Sequence, residues 1–571
     1  MGTSQRSNFA LDGFFADSRT RFAAFLQPQQ QSDLKQANWT LWLWFAFFVA
    51  AAIIFRAPTY LFSELNWDEA LYRLMADSLL RGHAPYTEIW DRKPVGVFVV
   101  FAGIQGLFGS DILALRLVAS IGVGTSAFFL ALLARRIFSD GPLTGVLAGL
   151  FYILYSLRNG GDAINTELVF TPFYLAGAVI LFRSAEYEGR KLFVSAFCAG
   201  LLAGIAVQIK YVVIFDILAF AIIYGIMQLR SFTPAVWQKF FLVILATGLG
   251  IAVPTGIAFL WYAVIGQFDT FLVSNISANE ALVGETAPPF GYQWMIDGLK
   301  QYDALIIGAA AALAAGPLLA NTAERRRSWL AIVVWLLSMC LSLIFLRRFA
   351  NHMFIQALPA ISVATAWILV RASQTASLGR TATRLVLAST VAFLALWTAH
   401  DQFDVAFETV VKRQIDGISH WGDRTATIAA ALSARLRPSD EIYVFGPELG
   451  IYENTKRLPP TRFPFTEHLW SGYAPVNGAD EIHRIMTRHP AFIVVTNLWM
   501  PNGPAPDPAR EKTAAELFDT INRDYVIDGN VSRFMSGGGG FVGGGIGATV
   551  FRRRDIPRFE TTAALQYTAQ R

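Results

Sequence analysis

The feature that most constrains this chain is a series of apolar runs between residues 39 and 398, most of them long enough to cross a lipid bilayer. A helix that crosses the hydrocarbon core needs about 20 predominantly apolar residues, with a lower limit near 17. We therefore predict a polytopic α-helical membrane domain at residues 39–398 with about eleven spans. The predicted spans are 39–56, 112–134, 142–157, 168–183, 192–209, 211–229, 240–265, 303–320, 329–346, 354–371 and 385–398.

The charge of the connecting segments predicts how the spans are oriented. Several short connecting segments are basic, namely "ARRIFSD", "RSAEYEGRK", "LRSFTPAVWQK", "AERRRS" and "RASQTASLGRTATR". The positive-inside rule assigns such segments to the cytoplasm. The tail at residues 1–38 is then cytoplasmic, and residues 399–571 lie outside. The net charge of +5 agrees with this bias, and we expect no nucleic-acid partner.

Residues 94–109, "PVGVFVVFAGIQGLFG", are apolar enough to suggest a further span. Counting them as a span would move "ARRIFSD" to the outside and invert the basic bias of the segments that follow. We therefore predict a helix that lies in the outer interface. It belongs to an outer interfacial region at residues 64–110.

The chain after residue 398 has a different pattern, in which helical segments alternate with short apolar strands. The predicted strands are "EIYVFG", "AFIVVT" and "ATVFRRR". We predict a small α/β domain at residues 399–571. Its glycine-rich stretch 536–547 is interpreted as a flexible loop, because it lacks the strand-to-helix context of a phosphate-binding loop. The cysteines Cys198 and Cys340 lie in apolar runs, so we expect no disulfide framework and no cysteine-based zinc site.

Acids and bases are concentrated between residues 63 and 96, directly after the first apolar run. Asn66 can cap a helix there, and Glu69 is placed as in a capping box, so one interpretation is that Asp68 and Glu69 only start an amphipathic helix that lies in the interface. The alternative is that Asp68 is a partly desolvated carboxylate that accepts a proton from a hydroxyl group.

A second acidic group lies in the stretch "NGGDAINTE". Asp162 and Glu167 could bind an acceptor or share a divalent metal ion with the first acidic group. They could equally form a polar turn that caps the helix beginning near Thr166. Both alternatives stay open at this stage.

Five basic residues are predicted at the same outer level of the membrane. Lys93 precedes the interfacial helix, Lys210 interrupts an apolar run, and Arg347, Arg348 and His352 follow another run. A lysine within an apolar run is a functional candidate, although simple snorkelling or interfacial anchoring would explain the same positions. A phosphate group at this level would find several cationic donors.

Acids and bases together suggest transfer of a sugar from a polyprenyl-phosphate carrier to a hydroxyl group. Asp68 would act as the base, and the cations would bind the phosphate. A secondary transporter and a non-catalytic polymer-assembly or lipid-binding protein are the alternative classes. Transporters usually contain internal repeats, and we find no repeat in this sequence.

Several stretches, in the right order, resemble the GT-C glycosyltransferases of the protein O-mannosyltransferase and aminoarabinose transferase type. These are "WDEALYRLMADSLLRGHAPYTEIWDRKP", "FGSDILALRLVASIGVG", "NTELVFTPFYLAGAVILF", "RRFANHMFIQALPAISV" and "DEIYVFGPELGIYENTKRLPPTRF". The sequence departs from the family pattern in two places. Val95 stands where the family has a second proline, and Arg92 separates Asp91 from Lys93.

The resemblance implies a GT-C fold and inverting sugar transfer on the periplasmic side of a bacterial inner membrane, from a polyprenyl-phosphate donor to a glycan, lipid or protein hydroxyl. It gives Asp68 the catalytic role and Lys93 with Arg347 or Arg348 the phosphate contacts. It gives a supporting role to an acid of the second loop, for which Asp162 and Glu167 are both candidates, and we favour Glu167. The remaining candidates for substrate or phosphate binding are Glu69, Tyr86, Asp91, Arg92, Lys210 and His352. Some relatives use a metal ion, so a divalent metal is a possible cofactor.

Overall fold

The computed structural model describes residues 34–138, 142–228, 233–284, 291–346, 349–376, 379–417, 420, 423–496, 508–531 and 548–557. Arg347, Arg348, most of the tail 1–38 and the glycine-rich stretch 536–547 lie outside these residues. The helices of the first part of the chain are Leu34–Arg56, Trp67–Leu80, Val95–Phe108, Ile112–Ile137, Pro142–Tyr155, Thr166–Ser184, Gly189–Ile209, Ile214–Gln228, Pro234–Val264, Phe268–Leu272, Ala278–Gly284, Gly291–Lys300, Asp303–Leu319, Ala323–Leu346, Leu358–Thr375 and Arg380–Gln414.

Nine helical segments of the described residues are long and apolar enough to cross a membrane. They are Thr40–Leu61, Ile112–Ile137, Thr166–Ser184, Gly189–Ile209, Tyr211–Gln228, Pro234–Val264, Ala323–Phe345, Asn351–Thr375 and Thr381–Gln414. The pair Tyr292–Lys300 and Asp303–Leu319, which is bent by 89°, adds a tenth if it counts as one span. The polytopic helical fold is thereby confirmed, with nine or ten spans by length.

The predicted count of about eleven spans is too high by this criterion. The helix Pro142–Tyr155, predicted as a span, has 14 residues, as does Val95–Phe108, which we predicted to lie in the interface. A helix of this length extends about 21 Å, whereas the hydrocarbon core is about 30 Å thick.

The helix Trp67–Leu80 begins at Asn66, whose side chain accepts a hydrogen bond from the main-chain N–H of Asp68. The sequence predicts an amphipathic helix that lies in the outer interface. In the structure its polar face is covered as well, because the helix packs on Val95–Phe108 and on the C-terminal part of the chain. Arg73 is buried and lies 3.6 Å from Glu453. The polar face of this helix is therefore buried.

The C-terminal part of the chain forms a mixed four-stranded sheet with the order β1-β2-β4-β3. Its strands are β1 Ile442–Phe445, β2 Phe492–Thr496, β3 Tyr525–Val531 and β4 Ala548–Arg553, and its helices are Arg424–Ser433, Gly450–Asn454, Gly478–Thr487 and Pro508–Asp524. β1 and β2 are parallel, and β4 is antiparallel to both β2 and β3. The three predicted strands are confirmed. β3 was not predicted, because its charged and glycine residues hide the apolar alternation.

The last membrane helix, Arg380–Gln414, contains 35 residues and continues past residue 398, where we predicted the boundary of the outer domain. Near its end, Arg413 donates a hydrogen bond to the main-chain oxygen of Leu61 at 2.6 Å. The end of this helix is thus attached to the end of the first span. This contact brings the C-terminal sheet next to the charged stretch that follows residue 63.

Candidate active site

Asp68 and Lys93 face each other in a buried position. The Nζ atom of Lys93 lies 3.7 Å from Oδ2 of Asp68, and both side chains are largely buried. Because Asn66 already caps the helix, the carboxylate of Asp68 does not need to fill that role. Burial tends to raise the pKa of Asp68, but the charges of Lys93, His352 and Lys210 outweigh it and hold this pKa below its ordinary value. These neighbouring charges therefore favour the ionised form of Asp68.

Lys93 is fixed by two groups from the same region. Its ammonium donates a hydrogen bond to the hydroxyl of Tyr72 at 2.8 Å and lies 5.2 Å from the centre of that ring. Its main-chain oxygen accepts a hydrogen bond from the hydroxyl of the fully buried Tyr86 at 2.8 Å. Tyr86, a predicted substrate ligand, thus holds the main chain of Lys93.

The segment that carries Lys93 is tied down on two sides. On the side of the membrane helices, Trp90 donates its indole N–H to Ser274 at 3.0 Å, and the amide of Asn279 donates to the main-chain oxygen of Arg92 at 2.9 Å. On the other side, the main-chain N–H of Trp90 donates to the carbonyl of Arg462 at 2.8 Å. The position of Lys93 therefore depends on both parts of the chain.

A second ion pair joins Lys210 to Glu167 at 2.5 Å. Lys210 follows the helix Gly189–Ile209 and precedes the next helical segment, and Glu167 lies in the first turn of Thr166–Ser184. Burial lowers the pKa of Lys210, while Glu167 opposes this change. Lys210 also interacts electrostatically with Lys93 and Asp68, so the two pairs belong to one charged cluster.

Glu69 and Asp162 point away from this cluster. Glu69 is fully buried, pairs with Arg116 at 2.6 Å and accepts the main-chain N–H of Ile164 at 2.9 Å. Arg116 also donates to the carbonyls of Thr59 and Phe62. The structure thus gives no support to Glu69 as a substrate ligand, since both of its oxygens hold the protein together.

Asp162 accepts the main-chain N–H of Ala163 at 3.1 Å, and Arg56 is the basic group that acts most strongly on its charge. Burial raises the pKa of Asp162 to about 6. Of the two acids in the second loop, only Glu167 takes part in the cluster around Asp68.

Asp91 and Arg92 extend the cluster towards the C-terminal sheet. Asp91 is buried, and its Oδ1 accepts the main-chain N–H of Arg92 at 2.7 Å. Its Oδ2 is also buried and has no hydrogen-bond partner among the residues that the structure describes. Burial raises the pKa of Asp91, although Lys93 and Arg92 oppose the change. The guanidinium of Arg92 lies 5.4 Å from the ring centre of Tyr473.

His352 lies in the short 3₁₀ helix Asn351–Ala357 and interacts electrostatically with both Asp68 and Glu167. The same helix contains Gln356, which donates a hydrogen bond to Asp216 at 2.8 Å and one to the carbonyl of Val212 at 3.1 Å. These bonds attach the segment of His352 to the segment that follows Lys210. The structure therefore brings His352 into the cluster, as predicted.

The C-terminal part supplies residues that the sequence analysis missed. Phe465 stacks on Trp67 with a centroid distance of 5.6 Å, next to Asp68. His468 packs edge-to-face on Trp90 at 4.8 Å. The dense aromatic stretch "RFPFTEHLWSGY" was the available signal, but it lies almost 400 residues from Asp68 and has no spacing that would predict the contact.

The residues present do not fit the expected divalent metal ion. No group of three or more His, Cys, Asp or Glu side chains within the described ranges could hold one. Asp68 and Glu167 each face a lysine ammonium, which would compete with a cation for the carboxylate. No step below is therefore routed through a metal.

The comparisons with known proteins agree with this architecture. Residues 92–257 match the family described as dolichyl-phosphate-mannose-protein mannosyltransferase. The match covers less than a third of the 571 residues, and within it the chain is similar to this family. The resemblance noted in the sequence is thereby confirmed, although the matched region begins after Asp68. The transporter and the non-catalytic alternatives find no support.

Two solved structures of ArnT from Cupriavidus metallidurans have a similar fold. The structure bound to undecaprenyl phosphate has a TM-score of 0.53 at 14% identity and covers 89% of this chain and 98% of that chain. The apo structure has a TM-score of 0.51 at 14% identity, with coverages of 89% and 97%. The Archaeoglobus fulgidus oligosaccharyltransferase in complex with Zn and sulfate has a TM-score of 0.44 at 11% identity, over 86% of this chain and 72% of that chain. No curated protein matches the sequence at a significant level.

Proposed function

We propose that this glycosyltransferase moves a sugar from a polyprenyl-phosphate donor to an acceptor hydroxyl group with inversion at the anomeric carbon. The observation that carries the proposal is the buried pair of Asp68 and Lys93, 3.7 Å apart, beside the second pair of Lys210 and Glu167. An ionised carboxylate next to two ammonium groups provides both a base and a binding site for an anionic leaving group.

The reaction would proceed by a single displacement. Asp68 accepts the proton of the acceptor hydroxyl, whose oxygen attacks the anomeric carbon. The bond between that carbon and the phosphate oxygen breaks on the opposite face, and the polyprenyl phosphate leaves with the bonding electrons. Lys93 and Lys210 neutralise the leaving phosphate.

Further residues are assigned to this reaction from the charged cluster and the family resemblance. Glu167 holds Lys210 in place through its 2.5 Å ion pair. Arg347 or Arg348 contributes a further phosphate contact, and His352 lies close enough to influence both acids. A donor with a polyprenyl phosphate is supported by the similar fold of ArnT, which was solved with undecaprenyl phosphate.

We further propose that the reaction takes place on the periplasmic side of a bacterial inner membrane. The basic segments at "ARRIFSD" and "AERRRS" favour a cytoplasmic location for the opposite side and for the tail 1–38. The membrane domain is then residues 39–398, and residues 399–571 form the periplasmic domain. The acceptor is a hydroxyl group of a glycan, a lipid or a protein.

The test is to incubate the purified protein with a panel of polyprenyl-phosphate sugars and to measure release of polyprenyl phosphate. We expect release from at least one donor, and Asp68→Asn should reduce its rate by about a hundredfold or more, because the base is lost while the shape is kept. Asp77→Asn, on the same helix but in an exposed pair with Arg81, is the matched control and should retain full activity.

Two outcomes would contradict the proposal. One is a folded wild-type protein that releases polyprenyl phosphate from no donor of the panel. The other is an Asp68→Asn variant that is as active as the wild type.

A further inference from the structure

His468 is a buried residue of the C-terminal domain that lies beside the charged cluster and has no role in the reaction above. It belongs to the 3₁₀ helix Thr466–Leu469, and its side chain is 2% exposed. The charges of Arg92, Lys93 and Asp68 all act on it. The imidazole therefore lies within electrostatic reach of the proposed base and of the proposed phosphate ligand.

Aromatic rings fix the orientation of this imidazole. It packs edge-to-face against Trp90 at 4.8 Å, Phe465 at 5.1 Å and Tyr473 at 6.0 Å. Such rings stabilise the apolar edges of an imidazole but offer no hydrogen bond to its nitrogen atoms. The Nδ1 atom of His468 is buried and has no hydrogen-bond partner among the described residues.

A second buried polar atom of the same kind lies on the adjoining segment. Oδ2 of Asp91, the residue that follows Trp90, also has no partner within the described part of the chain. A buried polar atom without a hydrogen bond destabilises the folded protein, and nearly all buried polar atoms in native proteins are hydrogen-bonded to protein, water or ligand. Two such atoms, Nδ1 of His468 and Oδ2 of Asp91, lie beside Trp90 and indicate a binding site for groups that form hydrogen bonds.

The protonation state of His468 decides which groups it can bind. Burial, together with the positive charges of Arg92 and Lys93, lowers its pKa to about 3. At neutral pH the ring is uncharged, so that one nitrogen donates and the other accepts. A neutral imidazole and a carboxylate together suit hydroxyl groups, which both donate and accept, rather than a second phosphate.

The positions of Asp91 and His468 relative to Lys93 indicate which hydroxyl groups would bind to them. In the proposed reaction the phosphate lies at Lys93, and the sugar is joined to it directly. Asp91 is two residues from Lys93, and His468 contacts the residue before Asp91.

We propose that His468 and Asp91 form a subsite for the hydroxyl groups of the donor sugar, with Trp90 and Tyr473 as its aromatic walls. The C-terminal domain then supplies part of the donor site and contributes to the choice of sugar. This inference rests on the proposed function and deepens it.

The test compares binding of two ligands that differ only in the sugar. The probes are undecaprenyl phosphate and an undecaprenyl-phosphate sugar on which the wild-type protein is active. We expect His468→Phe, which keeps an aromatic ring, to weaken binding of the sugar-bearing donor by about tenfold or more. Its affinity for undecaprenyl phosphate should stay within about twofold of wild type, because no phosphate contact is lost.

Three further variants make the result specific. His468→Gln, which keeps a donor and an acceptor, should restore most of the affinity for the sugar-bearing donor. Asp91→Asn should weaken binding of that donor more than binding of undecaprenyl phosphate. His483→Phe is the control, since His483 is exposed and pairs with Glu516 on the surface of the same domain.

The subsite would be refuted if His468→Phe bound both probes as the wild type does, or if it lost both affinities equally. In either case an active wild-type protein would leave the proposed function intact. A wild-type protein that neither binds nor cleaves any sugar-bearing donor would instead overturn the proposed function, and the subsite with it.

Discussion

At the scale of single residues, burial and charge act in opposite directions on Asp68. Burial alone would favour the protonated acid, whereas Lys93, followed by His352 and Lys210, favours the carboxylate. The charges prevail, and the pKa of Asp68 is held below its ordinary value. A base of this kind stays ionised well below neutral pH. In the proposed reaction, the readiness of Asp68 to accept a proton would therefore depend on neighbours that also bind the leaving group.

This dependence leads to a prediction for Lys93→Met. Removal of the nearest cation should raise the pKa of Asp68, so that the acidic limb of the pH profile of kcat/KM moves to higher pH. Activity at neutral pH should also fall by about tenfold or more, because one phosphate contact is lost. The measurement is donor cleavage as a function of pH. Lys300→Met, at an exposed lysine, should leave the profile unchanged, and an unshifted acidic limb in Lys93→Met would argue against Asp68 as the titrating base.

Individual charged residues could be predicted as candidates where they lie within or next to the apolar runs. Asp68, Lys93, Glu167 and Lys210 stand out because a charge beside a bilayer needs a partner, and the structure shows which partner each one has. The same reasoning could not tell that Asp68 belongs to the charged cluster whereas Glu69 pairs with Arg116. Their difference depends on Arg116, which is distant in sequence and gives no local signal.

At the scale of elements, the distance between the helices Val95–Phe108 and Gly189–Ile209 sets the position of Lys210. A Cβ atom built on Gly96, in the helix Val95–Phe108, would lie 2.5 Å from the main-chain oxygen of Gln208. Gln208 is two residues before Lys210, and Gly96 is three residues after Lys93. The close approach that glycine permits here therefore keeps the two lysines near one another.

We predict that Gly96→Ala separates these helices and reduces donor cleavage by about tenfold or more, because a displacement near 1 Å at reacting groups can cost more than that. Gly103→Ala, in the same helix, is the matched control, since its Cβ would meet nothing within 4 Å. We expect this control to retain activity and to be as stable as the wild type or slightly more stable. Equal activity of the two variants would show that helix spacing does not position Lys210.

Element boundaries followed from the sequence where caps and apolar periodicity agree. The helix Trp67–Leu80 begins after its predicted cap, Asn66, and the strands β1, β2 and β4 lie in their predicted segments. The burial of the polar face of Trp67–Leu80 could not be predicted. Its cover is provided by Glu453 and neighbouring residues, more than 370 positions away, and amphipathicity alone does not reveal what lies on a polar face.

At the scale of the whole molecule, the C-terminal domain is bound to the segment that leads into the active site. Ser63 donates its main-chain N–H to Asp423 at 2.6 Å. Glu64 is buried and accepts hydrogen bonds from the hydroxyl of Thr425 at 2.9 Å and from the main-chain N–H of Gly450 at 3.1 Å. Together with the contacts of Trp90, these bonds make one interface between the two parts of the chain.

Burial raises the pKa of Glu64 from 4.5 to about 8, although the donors from Thr425 and Gly450 oppose the change. The folded protein therefore holds this proton more tightly than the unfolded chain. The resulting stability is fully present below pH 4.5 and is lost as the pH rises to about 8.

We predict that Glu64→Gln, which cannot ionise, removes this pH dependence. The melting temperature of the wild type in detergent should fall relative to that of the variant as the pH is raised from about 5 to about 8. The free-energy difference involved is on the order of a few kcal/mol. If the difference between the two melting temperatures were constant over this range, Glu64 would not be a protonated interface residue.

The uninterrupted helix Arg380–Gln414 leads from the membrane part of the chain towards the C-terminal domain, so its length sets the rotation of the residues that follow it. Inserting a single residue in the C-terminal half of this helix would rotate the chain that follows by about 100° and shift it by about 1.5 Å along the helix axis. Such an insertion would carry His468 away from Trp90 without altering either side chain. The number of residues in this helix would thus contribute to the geometry of the proposed sugar subsite.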